Sequence, residues 1–397
     1  MFRRTGVAGP LALYAEGFRE ELTAQGYAVG SAAQQMQLMA HLSRWLATRR
    51  LGPEDLTDER AARFCAARRQ AGYTGYFSPR ALRPLLGYLR SLGAAPVQEH
   101  RARTPVDLLV EGYRTYLLRE RGLAPGTVVH YVRTAQLFLS SRRVRAAGVG
   151  GLDAAIVRDF VLSQCAGRST TGAKALVCDL RALLRFLHGR GLAADLTAAV
   201  PGVAGWRLAS LPRAVAPREL KRLLASCDRR RATGRRDYAI LVLLARLGLR
   251  RGEVAALSLD DLDWRNGELV VHRKGGRDER LPLPADVGDA IAAYVRRGRP
   301  VTGRRELFIC AHAPRTGLSP AGVSEVVVVA SERAGLGRIG AHRLRHTAAS
   351  AMLRHGAPLA EVAEVLGHRD SSTTAIYAKV DVASLRLVAA PWPGCGR

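Results

Sequence analysis

Over roughly the first two hundred residues, apolar positions recur at spacings of three and four, the period of a helix with one buried face. The pattern comes in two copies. Phe18, Leu22, Gly26-Tyr27-Ala28 and Ser31 are echoed about 95 residues later by Tyr113, Leu117, Gly122-Leu123-Ala124 and Thr127. Leu56 and Phe64 are echoed by Leu152 and Phe160. Each copy closes on an apolar stripe and a glycine, Leu85-Leu86 and Leu89 before Gly93, and Leu183-Leu184 and Leu187 before Gly191. This predicts two all-helical units, an additional N-terminal domain over 1–104 read as a repeat of the next, and a second domain over 105–200.

The period then breaks. Pro201, Gly202, Gly205, Pro212 and Pro217 mark 201–217 as a linker. In the last part, 218–397, a helix starts near Arg218 and a strongly apolar one runs from about Asp237 to Leu247. Glu268–His272 reads as a strand, Lys274-Gly275-Gly276 as a turn and Arg280–Leu283 as the return, which is a hairpin signal. Further helices are expected at about 286–297, 320–334, 342–355, 358–366 and 372–378. Ser319 and Ser371 are candidate starts, Gly356 and Gly367 candidate stops. The fold class is mainly α with a small antiparallel β-sheet.

Charge narrows the function. Lys and Arg total 61 against 34 Asp and Glu, a net charge of +27 in 397 residues. So large an excess calls for a polyanionic partner, and nucleic acid is the natural one. No apolar run approaches the length of a membrane span. The N-terminus is basic at Arg3-Arg4 but broken at Gly9-Pro10, unlike a secretion signal. Six scattered cysteines without a CxxC pair read as free thiols of a cytoplasmic protein.

Four short patterns in the last part carry chemistry. Arg250 follows the apolar helix, with Glu253 three residues on. Lys274 sits in the hairpin turn. His342-Arg343-Leu344-Arg345-His346 opens a helix. His368 precedes Tyr377 by nine residues. Each alone is weak. The His342/His346 pair lacks the glutamate that a zinc-protease helix places after its first histidine, so no metal is expected there; no cofactor is expected either. Positions i and i+3 share a helix face, so His342 and Arg345 point the same way. Paired guanidiniums suit the two non-bridging oxygens of one phosphate. Only four of the chain's 61 cations are lysines, and one is Lys274. Arginine, with a pKa above ~12, cannot usefully release a proton, whereas a lysine beside other cations can.

Taken in order, the set resembles the tyrosine recombinases, or phage-type integrases, over roughly 215–385, with a weaker match of 105–195 to that family's helical core-binding (SAM-like) domain. The resemblance implies a tyrosine-recombinase-like α+β catalytic domain behind helical DNA-binding domains. It implies Tyr377 as nucleophile and Arg250, Lys274, His342, Arg345 and His368 as its catalytic partners, with Glu253 and His346 supporting. His342 is then the general base, His368 a donor to the phosphate, and Lys274 the acid that protonates the departing 5′-oxygen. The implied function is site-specific recombination of double-stranded DNA by a homo-tetramer, through a 3′-phosphotyrosyl intermediate and a Holliday junction. The additional N-terminal domain points to the integrase or transposase of a mobile element. Type IB topoisomerase-like relaxation and a catalytically silent DNA-binding regulator are the alternatives, and the sequence names no accessory protein. Arg49-Arg50, Arg68-Arg69, Arg101 and Arg103 are candidate phosphate contacts. The mildly apolar tail 380–390 is a candidate for packing either on its own subunit or on a neighbour.

Overall fold

The computed structural model describes residues 6–97, 104–204, 214–273, 276–367 and Tyr377. Four helices form the N-terminal part: α1 (Ala15–Ala24), α2 (Val29–Ala47), α3 (Asp58–Gln70) and α4 (Pro79–Ser91). Five form the next: α5 (Pro105–Arg119), α6 (Pro125–Leu139), α7 (Arg142–Ala147), α8 (Ala154–Cys165) and α9 (Thr170–Gly189). Their starts follow capping chemistry. Thr104 accepts from the Asp107 N–H while Asp107 accepts from the Thr104 N–H, a capping box with Pro105 at the first helical position. Ser169 caps α9 in the simpler way, through the Gly172 N–H.

Each part has its own apolar core, and the echoed positions fall inside them. Phe18, Leu22, Leu56 and Phe64 are buried in the first. Tyr113, Leu117, Leu152 and Phe160 are buried in the second. The second part differs by the short helix α7, for which the first has no counterpart helix. By contact density the chain divides into two units, Gln98–Ala209 alone and Met1–Val97 together with Ser210–Arg397. Within the latter, the Arg315 N–H donates to the Gln25 carbonyl at 3.0 Å. Gly26, at φ +77°, lies so close under the Arg315 side chain that a Cβ would meet its Cδ at 2.5 Å.

The remaining chain holds α10 (Pro217–Ala225), α11 (Ala232–Arg246), α12 (Arg251–Ala256), β1 (Leu262–Asp263), β2 (Glu268–Arg273), β3 (Arg277–Pro282), α13 (Ala285–Arg297), α14 (Pro320–Arg333), α15 (Ala341–Arg354) and α16 (Leu359–Leu366). The strands form one antiparallel sheet in the order β1-β2-β3, with Leu269 opposite Leu281 and Arg273 opposite Arg277. α11 is the central helix, packed on α13, α14 and α15. It begins five residues before the apolar run, because its first turns are held by polar contacts. Arg235 donates to the Arg297 carbonyl, and Arg236 pairs with Asp237 and donates to the Ile309 carbonyl. The linker reading fails at its end. Val215 is buried, its N–H donates to Thr347 Oγ1 at 2.8 Å, and Pro217 is already the first residue of α10.

Among the described residues no helix is long and apolar enough to cross a membrane. Apart from Tyr377, the helix expected over 372–378 and the tail 380–390 lie outside the described residues, as do Arg101 and Arg103.

Candidate active site

Three chain segments meet beside the end of α11. The first is the turn after it. Gly248 has φ +62°, and a Cβ there would lie 2.6 Å from Leu366 Cδ2 and 3.2 Å from Ala348 Cβ. Only glycine lets this turn sit against α15 and α16. Arg250 follows at the N-cap of α12. Glu253, three residues on and almost fully buried, accepts from the Arg250 N–H at 2.7 Å through Oε2 and from its guanidinium at 2.7 Å through Oε1. A second Arg250 nitrogen donates to the Gly367 carbonyl at 3.1 Å. Even so, 40% of the Arg250 side chain remains open to solvent.

The second segment is α15, whose helical spacing puts His342, Arg345 and His346 on one face. Arg345 is only 2% exposed, and its two terminal nitrogens donate to the carbonyls of Gly248, at 2.6 Å, and Leu366. Desolvation, reinforced by Arg250, lowers its pKa to about 10. Of the two guanidiniums, Arg250 is thus open and Arg345 covered.

The third segment is the end of α16 and Tyr377. Tyr377 is 1% exposed and packs with Ala349, Leu353, Val362 and Leu366. Its hydroxyl lies 2.8 Å from His346 Nδ1. Burial pushes the phenol pKa up, against the pull of Arg345 and Arg250. The His346 pKa is lowered to about 4, by burial first, then by His342 and Arg345. The imidazole is thus neutral at pH 7, and with its proton on Nε2 the phenol donates to Nδ1. His342 stands edge-on to His346, ring centroids 4.4 Å apart, and reaches solvent. Crowding by protein lowers its pKa, with Arg345 and Arg250 adding to the effect.

Of the residues expected from sequence, Arg250, Glu253, His342, Arg345, His346 and Tyr377 come together. Lys274 and His368 lie outside the described residues, next to Arg273 and Gly367 respectively. The contact with the phenol belongs to His346 rather than to His342, the base expected from the pattern. Arg273, between the expected strand and the expected turn, was given no role from the sequence. It is buried, donates to Glu253 at 3.0 Å and to the Val365 carbonyl at 2.8 Å, and also pairs with Glu279. A readable signal existed, because β2 alternates and Arg273 takes the inward position after Leu269 and Val271.

The chain is similar to known proteins in sequence and in fold. Residues 213–384 match the model of the phage integrase family. A Sinorhizobium fredii protein described as an integrase/recombinase, y4rA, is 42% identical over 393 residues, 97% of this chain and 95% of the relative. The tyrosine recombinase XerD of Mycobacterium tuberculosis is 32% identical over 311 residues, 72% of this chain and 96% of its own. Among solved structures, a lambda integrase tetramer bound to a Holliday junction shares the fold, with a TM-score of 0.53 at 14% identity over 73% of this chain and 88% of that one.

Proposed function

Because the chain belongs to the phage integrase family and is a tyrosine-type site-specific recombinase, we propose that Tyr377 is its nucleophile and that Arg250, Lys274, His342, Arg345 and His368 serve the phosphate with it. The phenol oxygen attacks the scissile phosphorus and the bond to the 5′-oxygen breaks. A 3′-phosphotyrosyl link forms, and the departing 5′-oxygen takes a proton from Lys274. A 5′-hydroxyl from the partner strand then attacks that link, restores the phosphodiester and returns the phenol. One phosphoester replaces another at each step, so the bond energy is conserved.

The observation that carries this reading is the 2.8 Å contact between the Tyr377 hydroxyl and a neutral imidazole, with the charges of Arg345 and Arg250 acting on the phenol. A phenol with an ordinary pKa near ~10 needs both a proton acceptor and nearby positive charge. His346 supplies the first and Arg345 with Arg250 the second. His342, with its ring open to solvent, is then placed for the phosphate. An incoming phosphodiester brings negative charge, which raises the basicity of both histidines and aids the transfer. Arg250, the more open guanidinium, receives the phosphate first, and Arg345 offsets the charge that builds at phosphorus.

The substrate is double-stranded DNA. The net charge of +27 supports this, as does the Holliday-junction complex of the lambda integrase. The same complex supports a homo-tetramer exchanging strands through a junction. The near full-length match to an integrase/recombinase, with the additional N-terminal domain included, supports a role in a mobile element. The test is a nicked duplex that loses its 5′ fragment on cleavage. The unaltered protein is expected to become covalently attached to it, and Tyr377→Phe is expected to bind the same duplex without attachment. Covalent trapping by Tyr377→Phe refutes the assignment.

A further inference from the structure

We propose that Arg273 is a positioning residue for this reaction, whose guanidinium locks the strand end preceding Lys274 to the helix end preceding His368. A cation on the inward face of β2, 8% exposed, is costly unless its charge and its N–H groups are met. Arg273 meets them with groups from three elements. Nη1 donates to Glu253 Oε2 at 3.0 Å, Nη2 to the Val365 carbonyl at 2.8 Å, and Nε to Glu279 on β3. The carbonyls at the end of α16 carry the partial negative charge of a helix C-terminus, which suits a cation. Gly367 records how close the approach is. At φ +60°, a Cβ there would lie 2.8 Å from Arg273 Nε and 3.0 Å from its Cζ.

Glu253 makes the lock communal, because its other oxygen holds Arg250. One carboxylate therefore fixes the open phosphate clamp and the strand that leads into the turn. Lys274 is the next residue in the sequence after Arg273. If Arg273 loses its partners, the end of β2 loses its footing, and a misplacement of about 1 Å at a reacting group costs on the order of 10²-fold in rate. Arg273 touches no reacting atom in this account. Its effect passes through Lys274, so the proposal rests on the reading of Lys274 as proton donor.

The experiment uses the full chain and two nicked duplexes, one with an ordinary scissile phosphodiester and one with sulfur in place of the bridging 5′-oxygen. A thiol has a pKa of about 8.5, so sulfur departs without a proton, as an alkoxide does not. Arg273→Met is expected to cleave the ordinary duplex about 30- to 100-fold more slowly, and the sulfur duplex within about threefold of the unaltered protein. Lys274→Ala is expected to show the same rescue. Glu279→Gln, which loosens Arg273 from the half-open side, should give about a 3- to 10-fold loss with the same rescue. This second variant keeps the test decisive if Arg273→Met does not fold. Rescue of Lys274→Ala without rescue of the Arg273 and Glu279 variants overturns the positioning role alone, as does an unchanged rate in those variants. Failure of sulfur to rescue Lys274→Ala overturns the reading of Lys274 beneath it.

Discussion

The protonation of His272 on β2 and of His346 on α15 is pushed in opposite directions. His272 lies 2.6 Å from Asp278 and 3.0 Å from Asp261, and these hydrogen bonds raise its pKa. His346 faces a phenol, another histidine and a buried arginine, and its pKa is lowered to about 4. The difference extends to their neighbours. On the hairpin, Arg273 pairs with Glu253 and Glu279, and Arg280 with Glu268. On α15, Arg345 donates to two backbone carbonyls. Carboxylates neutralise the hairpin side and fix its shape. The α15 side keeps positive charge in reserve, and a phosphodiester is the group that would use it.

The largest effect should come from breaking the paired side. Glu253→Gln leaves Arg273 buried without its central carboxylate, and removing one partner of a buried pair costs about 3–5 kcal/mol. Denaturant titration should show this loss, whereas a loss below about 1 kcal/mol would mean that the pair is not what stabilises this region. On the α15 side, Arg345→Ala should slow strand cleavage by about 10²–10³-fold, the usual cost of removing a donor to developing charge. Single-turnover cleavage at saturating protein checks it, and a loss under about tenfold would put Arg345 outside the phosphate's reach.

The histidines sharpen the comparison through pH. His346 has a folded pKa of about 4 and an ordinary unfolded value near ~6.5, so between these pH values the unfolded chain binds more protons. Stability should therefore decline as pH falls from about 6.5 to about 4, by up to roughly 3 kcal/mol, and His346→Asn should flatten that decline. A slope unchanged in the variant would contradict the shift. His272 has the reverse sign. Its folded pKa is raised, so its contribution is present below about 6.5 and is lost as pH rises through the folded value. Its ring is 45% exposed, so His272→Asn should cost no more than about 1 kcal/mol at pH 6 and nothing measurable at pH 9.

The two sides were unequally legible in the sequence. His342, Arg345 and His346 declare themselves because helical spacing alone puts them on one face. The hairpin was readable from the strand-like run Glu268–His272, the glycines after Lys274 and the return at Arg280–Leu283. Arg273 was passed over despite its register with Leu269 and Val271, because a charged residue beside a turn reads as solvent-exposed until Glu253, Glu279 and the end of α16 are seen around it. The contact of Tyr377 with His346 was hidden for a related reason. It joins residues 31 apart, and its geometry depends on how α16 packs against α15. The early start of α11 was hidden by Arg235 and Arg236, whose partners lie more than sixty residues downstream.

The central claim is that the phenol beside α15 becomes the covalent link to DNA. Its most direct test is to trap the protein on a nicked duplex, digest the complex and locate the nucleotide-bearing residue by mass spectrometry. The account predicts a peptide carrying a 3′-linked nucleotide on Tyr377. Attachment at any other side chain, or through a 5′-phosphate, would contradict it.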